Sequence, residues 1–360
     1  MSTPATGPIS YKRHIKKEFG LAPSFGAYQS SNPNFGNKDV GSLTNLPLDD
    51  GIPTSGPMKF SDFLDKRLNV VVDFFSTGDV IRENFKTKYD GSSVGNGLFV
   101  VGGYTGQPST PSGHKIIANV NVSIGSTHQK QGWFKSRRRN VAFNTGEWPG
   151  GSDTHLKISI GSNGKILGQG GHGGAGAKAG NNNGTDGQTG GTAIGIADTD
   201  VTISITNLGL ISTGFGGGGG GRGKGQSKKT GKKSSVWATS SGGGGGGGQG
   251  FPVGDGGSKG TGASYGTNGS NGKDGEKTFP AGGGGGGGAG GQNAFKGGNG
   301  GDNAANAQQG SGNTGGAGAG GLNGYSILNY QGGSLASLFP EGQGTVTGEY
   351  ENNSPIGSIY

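Results

Sequence analysis

Apolar residues are sparse along this chain, and their spacing changes three times. Tyr11, Ile15 and Phe19 fall at i, i+4 and i+8, with Ser10 placed as N-cap and Gly20 just past the end, which predicts a short helix. Phe60, Phe63, Leu64 and Leu68 form a second such stripe. Each stripe is opened by one copy of a duplicated element, Thr6-Gly7-Pro8-Ile9-Ser10-Tyr11 and Ser55-Gly56-Pro57-Met58-Lys59-Phe60. A Ser/Asn/Gly/Pro-rich linker, Pro23 to Gly56, separates them. Helices of one to three turns this far apart cannot build a core of their own, so they read as pegs that bury their stripes on something else.

From about Leu68 to Ile160 the pattern becomes that of strands. Asn69 to Phe75 and Leu98 to Val101 are continuous apolar runs, while Ala118, Val120, Val122 and Ile124 alternate with polar residues. A repeat then appears. Leu156 to Ile160, Gly164, Ile166 and a glycine run from Gly168 match Val201 to Ile205, Gly209, Ile211 and a glycine run from Gly214, all at one offset of 45 residues. Strand, turn and glycine tract form a unit used twice.

Between Gly168 and Gly324 glycine tracts alternate with more varied inserts, and the chain ends in a polar, strand-capable tail. Composition changes the picture here. The 360 residues include 89 glycines and 14 prolines, and only 28% are hydrophobic, so no large oily core is available. A disordered linker is one reading of such tracts. The other is polyproline II geometry, which makes no internal hydrogen bonds and turns every N–H and C=O outward. Without Cβ atoms such helices can lie side by side, bonded backbone to backbone. Tracts of similar length, fed by apolar strands, favour the second reading. Bulkier residues within them, such as Phe215, His172 and Phe295, are expected at tract ends or outer faces.

The expected fold class is therefore mainly β plus polyglycine II. It divides into an arm (1–60), a small β-rich domain (61–150), a sandwich of packed glycine helices with variable loops (151–324) and the tail (325–360).

The inserts hold what the tracts lack, side chains able to recognise a ligand. They place Lys228, Lys229, Lys232, Lys233 and Trp237 on one insert, then Phe251, Tyr265, Lys273, Phe279 and Phe295 on others. Aromatics beside cations on loops held by a rigid scaffold make a binding surface. Net charge is +8, with basic clusters at Lys12 to Lys17, Lys135 to Arg139 and Lys224 to Lys233, which favours anionic partners.

Catalytic and cofactor chemistry finds little support. There is no cysteine, and the five histidines (14, 114, 128, 155, 172) show no ligand spacing, so neither metal nor cofactor is expected. Gly168 to Gly173 fits GxGxxG but no helix-forming sequence follows; Gly218 to Lys224 fits GxxxxGK, yet Gly225 stands where Ser or Thr is required. No signal peptide or membrane-spanning run is present.

Ala142 to Gly150 with Trp148-Pro149, Asn163-Gly164-Lys165-Ile166-Leu167-Gly168, Gly190 to Ala193, and Val201 to Ile211 running into polyglycine resemble the glycine-rich receptor-recognition proteins at the tips of phage tail fibres, of T-even-like phages and cyanophages. The resemblance implies a non-enzymatic virion protein that presents loops to a host outer-membrane protein or surface glycan. It further implies that Tyr11, Ile15, Phe19, Phe60, Phe63 and Leu64 dock on tail-fibre or baseplate proteins, with no nucleic-acid partner. A structural connector that uses the glycine region as a rigid spacer is the alternative.

Overall fold

The structure is a computed structural model that describes residues 4, 6–15, 53, 56–66, 69–74, 80–91, 98–99, 115–126, 141–149, 154–179, 182–198, 200–231, 234–261, 268–276, 284–288, 290–291, 294–301, 307–311, 317–329, 345–347 and 349–350. Of the expected site residues, Phe19, Lys232, Lys233, Tyr265 and Phe279 lie outside them.

The fold is mainly β and mostly parallel. Its strands follow one another in threes, and each third strand returns to the same sheet. The first turn is β1 (Asn69–Phe74), β2 (Val80–Ile81) and β3 (Glu83–Asn84). A short helix, α1 (Phe85–Gly91), and β4 (Leu98–Phe99), which pairs antiparallel with β1, come next. The second turn is β5 (Lys115–Val120), β6 (Ser123–Gly125) and β7 (Phe143–Asn144), and the third is β8 (His155–Ile160), β9 (Lys165–Leu167) and β10 (Ile194–Ile196). The fourth starts with β11 (Thr202–Asn207) and β12 (Leu210–Ser212) and is completed by β15 (Tyr325–Asn329); β16 (Thr345–Thr347) and β17 (Glu349–Tyr350) add part of a fifth. The stacked sheets run β11-β8-β5-β1-β4, β16-β12-β9-β6-β2 and β17-β15-β10-β7-β3. This is a coil of the β-solenoid kind, in which each turn buries its apolar residues against the next.

Inward positions explain the sequence pattern. Val72, Ala118, Ile158 and Ile205 stand in one ladder across the first sheet. With Ile124, Ile166 and Ile211 of the second sheet and Phe143, Ile194 and Ile327 of the third, they make a single buried cluster. The alternation from Ala118 to Ile124 predicted one strand, but the chain bends at Asn121 and Val122 and passes from the first sheet to the second. Both halves still point their apolar side chains into the same core, because the corner keeps the phase. The 45-residue repeat is one turn of this coil. Pairing follows that offset in the second sheet, Leu210 opposite Lys165, but in the first it is 47, Thr202 opposite His155. A difference of two residues leaves every side chain on its face. The recurrent glycine of the repeat is a corner: a Cβ on Gly209 would fall on the Gly164 carbonyl oxygen, and one on Gly164 on that of Val120.

Beside the first turns, α1 packs Phe85 and Tyr89 onto Trp148, at ring separations of 5.1 and 5.2 Å, and Phe74 meets Phe143 at 5.2 Å. The Trp148 indole N–H donates to the Thr145 carbonyl at 2.8 Å, so this aromatic group buries no unpaired donor. Burial raises the Glu83 carboxyl above its ordinary range, against the pull of Lys88, and pushes the Tyr89 hydroxyl up to about 12, Asp90 adding to the effect.

The glycine region is not a separate appendage following the coil. It leaves from one corner, between the second and third sheets. The first turn crosses that corner through Arg82 alone, the third turn inserts 168–193 and the fourth inserts 213–324. The described tracts are 168–179, 182–193, 214–222, 241–250, 252–261, 268–276, 284–291, 294–301, 307–311 and 317–324, numbered 1 to 10 below. Their backbone bonds run between tracts with a period of three. In tract 3, Gly214, Gly217 and Gly220 donate to Gly191, Gln188 and Thr185 of tract 2, while Phe215, Gly218 and Gly221 donate to Gln249, Gly246 and Gly243 of tract 4. Gly219 and Arg222 reach Gln308 and Ser311 of tract 9. One tract thus serves three neighbours on three faces, and a Cβ on most tract glycines would fall on a neighbour's carbonyl.

Candidate functional site

The hydrogen-bond partners also give each tract a direction. Tract 1 starts at the coil, where Gly168 donates to Ser212 at 2.9 Å, and runs outward to Ala177, which donates to Gly221 at 3.0 Å. Tract 2 returns, since Thr185 donates to Ala175, Gln188 to His172 and Gly191 to Gln169. The same bookkeeping makes the odd-numbered tracts run out and the even-numbered ones run back. The connections 1–2, 3–4, 5–6, 7–8 and 9–10 therefore all lie at the end away from the coil. Those joining 4–5, 6–7 and 8–9 lie on the coil side.

This sorts the expected site residues. At the outer end is the connection 3–4, which is an antiparallel hairpin rather than an irregular loop: β13 (Lys224–Gly231) pairs with β14 (Ser234–Ser240). Lys228 stands opposite Trp237 and Lys229 opposite Val236. Phe295 is at the same end, half-buried, its N–H donating to the Arg222 carbonyl at 3.2 Å. The chain also leaves tract 5 at Thr261 and enters tract 6 at Asn268 there, on either side of Tyr265.

Other expected residues are elsewhere. Phe251 is 8% exposed and packs with Leu167 and Leu210 where the tracts meet the coil, so it is an inward-facing seam residue and not part of an exposed surface. Its backbone confirms the placement: the Phe251 N–H donates to Gly168 and its carbonyl accepts from Ser126. Lys273 is an exposed residue midway along tract 6, with its carbonyl accepting from Gly247. Of the bulky residues expected at tract ends or outer faces, Phe215 stands at the start of tract 3 and His172 within tract 1, both buried at 5% exposure. His172 Nδ1 accepts the Asp255 N–H at 3.0 Å and lies 3.2 Å from the Asp255 carboxylate, with Gln169 at 3.1 Å from its other nitrogen.

Sequence reasoning missed several members of the outer end because their grouping depends on tract direction. Arg222 and Lys224 stand at the base of the hairpin, and exposed Lys178, Lys259 and Lys296 come from three other tracts. The signal was present as a period of three in the tracts, but without partners it gave no direction. Among the described residues no group of side chains suited to holding a metal occurs, and no helix is long and apolar enough to cross a membrane.

In the N-terminal segment the duplicated element folds alike twice. Gly7 and Gly56 both take positive φ, +92° and +77°, and each is followed by a short helical turn, Tyr11–Ile15 and Phe60–Phe63. The Ser10 N–H donates to His14 Nδ1 at 2.9 Å, and the corresponding Lys59 N–H to the Asp62 carboxylate at 2.6 Å. Ile15 and Phe63 are fully buried, Tyr11 and Leu64 partly so, and Phe60 is 44% exposed. The end of the second copy reaches the start of the first, with the Asp65 N–H donating to the Pro4 carbonyl at 3.0 Å.

No curated protein and no solved structure matches the chain. The sequence profile of one family, phage tail fibre adhesin Gp38, matches residues 99–351, which takes in the coil from β5 onward and every glycine tract. That span is well over half of the chain, so the chain belongs to the Gp38 family of phage tail fibre adhesins.

Proposed function

We propose that the chain is the receptor-contacting tip of a phage tail fibre or baseplate appendage, its glycine tracts packed as polyglycine II helices and its outer connections meeting a host-cell receptor. The observation that carries this reading is the sorting of connections. Five of them, including the lysine-rich hairpin, gather at the end farthest from the coil, where a partner can reach them. The three-residue period of the inter-tract bonds supports the helical geometry, since polyproline II repeats every three residues with a rise of about 3.1 Å. On that geometry the nine steps from Gly168 to Ala177 project the outer end by ~28 Å.

The duplicated N-terminal element and the β-rich residues from Phe60 to Gly150 face the virion in this reading, with exposed Phe60 and partly buried Tyr11 and Leu64 among the docking residues; Ile15 and Phe63, expected to dock, are fully buried within the chain and hold the element itself. Binding is non-catalytic, and weak single contacts are strengthened by several copies per particle. Host partners are an outer-membrane protein or a surface glycan.

The test is replacement of 225–239 by two glycines in the phage. Ser241 is retained because its hydroxyl accepts the Gly269 N–H at 2.8 Å and its carbonyl the Gly291 N–H at 2.9 Å. Adsorption should be lost or redirected while the purified chain keeps its melting temperature. Unchanged adsorption and host range after replacing each outer connection in turn removes the proposal. Gold labelling at the hairpin then separates a tip from a connector, since a connector places the label between other virion parts.

A further inference from the structure

We infer that the outer end binds a polyanionic surface polysaccharide, through phosphate, sulfate or uronate groups that meet the hairpin lysines and their neighbours. This rests on the receptor-binding reading above and names the receptor's chemistry.

The inference comes from where the fold puts charge. The segments 178–184, 222–241, 258–270, 289–296 and 311–317, whose described ends lie at the outer end, carry in sequence nine Lys or Arg residues and no Asp or Glu. The whole chain has a net charge of +8, so all the rest sums to −1. The excess that composition spreads over the protein is thus the property of one face. The nearest carboxylates of the tracts lie inward and are occupied: Asp186 accepts the Ala319 N–H at 2.8 Å, Asp274 the Gly256 N–H at 2.8 Å, and Asp255 lies against His172. The tracts beneath are backbone, with N–H groups committed to one another, and supply no counter-charge.

Two physical arguments then select the partner. Lysine is depleted in the cores of protein–protein interfaces, where its strongly hydrated ammonium is costly to bury. Five separate segments that all avoid carboxylate, four of them carrying lysine, suit a partner that is itself a repeating charge. A polyanion also gains from counterion release as each of its charges is neutralised, which a neutral glycan cannot. The register supports recognition beyond charge alone, since Trp237 stands opposite Lys228 and Phe295 comes from a neighbouring connection at the same end.

The experiment compares the full chain with two variants of equal net charge. One carries Lys228→Gln, Lys229→Gln, Lys232→Gln and Lys233→Gln; the other Lys135→Gln, Arg137→Gln, Arg138→Gln and Arg139→Gln. Binding to immobilised dextran sulfate, with neutral dextran as blank, is followed from 50 to 200 mM NaCl. Each neutralised charge contributes a slope of roughly −0.7 in log affinity against log salt for a flexible polyanion. The hairpin variant should therefore show a slope shallower by about 3, equal to about 50-fold less salt sensitivity over that range, with the second variant unchanged. Equal losses in both variants reduce the effect to net charge and overturn the inference, as does no loss in either.

Adsorption to host cells gives the second arm. Soluble anionic polysaccharide extracted from the host should compete with the phage, and protease-treated cells should still adsorb it. Loss of adsorption on protease-treated cells without polysaccharide competition makes the receptor a protein and overturns the inference. If the lysine variant adsorbs normally while hairpin replacement abolishes adsorption, only the inference falls. If neither change matters, the receptor-binding reading falls with it.

Discussion

The run Gly282 to Gly288 offers a test in which sequence context is nearly constant and only position differs. A Cβ on Gly285 would fall on the Lys273 carbonyl oxygen, whereas one on Gly286 meets nothing within 4 Å. To admit Gly285→Ala, tract 6 must withdraw by about 1.5 Å to restore ordinary contact. That movement opens the bond from Gly247 to Lys273 at 2.9 Å and disturbs those from Gly285 to Gly247 at 2.7 Å and from Gly300 to Gly285 at 3.0 Å. At 0.5–1.5 kcal/mol net for each bond, the loss is about 3 kcal/mol, more where a buried N–H is left unpaired. Gly286→Ala should instead stabilise by about 0.5 kcal/mol, because alanine restricts the unfolded chain and the native φ lies outside the positive range. Calorimetry of the purified chain reads both. Gly285→Ala should lower Tm by about 4 °C and Gly286→Ala leave it level or slightly raised. Equal effects at the two positions would refute the packed arrangement, since a mobile glycine linker cannot tell neighbouring glycines apart.

Further expectations concern the coil and the seam. Phe251→Ala empties a buried site beside Leu167 and Leu210 and should cost about 3 kcal/mol in a chemical denaturation series, while adsorption at permissive temperature stays normal. Loss of adsorption without loss of stability would return Phe251 to the receptor surface. Trp148→Ala removes an indole that stacks on Phe85 and Tyr89, and should destabilise by about 3–5 kcal/mol. Burial raises the Glu83 pKa, so the folded state holds that proton more tightly than the unfolded chain. Its contribution is fully present below the unfolded value of 4.5 and is lost as pH rises through the folded value. Glu83→Gln should accordingly be more stable than wild type at neutral pH, with the difference vanishing in acid; a constant difference from pH 3 to 7 would contradict this.

Much of the coil was legible because its core obeys a period of two. Asn69 to Phe75, Leu156 to Ile160 and Val201 to Ile205 announce strands, and their repetition announces stacking. The corner at Asn121 was not legible, since a bend that preserves phase leaves the alternation of Ala118 to Ile124 intact. The return of Tyr325 to Asn329 into the same coil was equally hidden, because more than a hundred residues of tract separate β12 from β15 and carry no pairing signal. Within the tracts, glycine erases the side-chain pattern that normally reports which face is buried. His172 illustrates the cost: judged by size it belongs at a tract end or outside, yet it is buried at 5% exposure within tract 1. For the outer end, residue types such as Lys228 and Trp237 were visible, but not that Lys178, Lys259 and Lys296 join them.

The bonding of the tracts has a consequence for how the outer end can vary. The connection between tracts 9 and 10 is flanked by backbone bonds, Ser311 donating to the Lys296 carbonyl at 2.8 Å and Gly318 to that of Gly220 at 2.9 Å. Backbone bonds do not read side chains, so neither the sequence nor the length of the connection enters the energy that holds the tracts. Only loop closure does, and doubling a loop costs about 0.6 kcal/mol. Eight Gly/Ser residues added between Ser311 and Ala317 should thus lower Tm by no more than about 2 °C. The same insertion between Val120 and Asn121 breaks a stacked corner at which Gly161 donates to the Val120 carbonyl at 2.9 Å and Lys165 to that of Val122 at 2.9 Å. It also separates Val120 from Ile124 in the shared core, and should prevent cooperative melting. If the outer insertion proves as damaging as the inner one, the connections carry stability of their own. If both are tolerated, the coil is not the part that holds the molecule together.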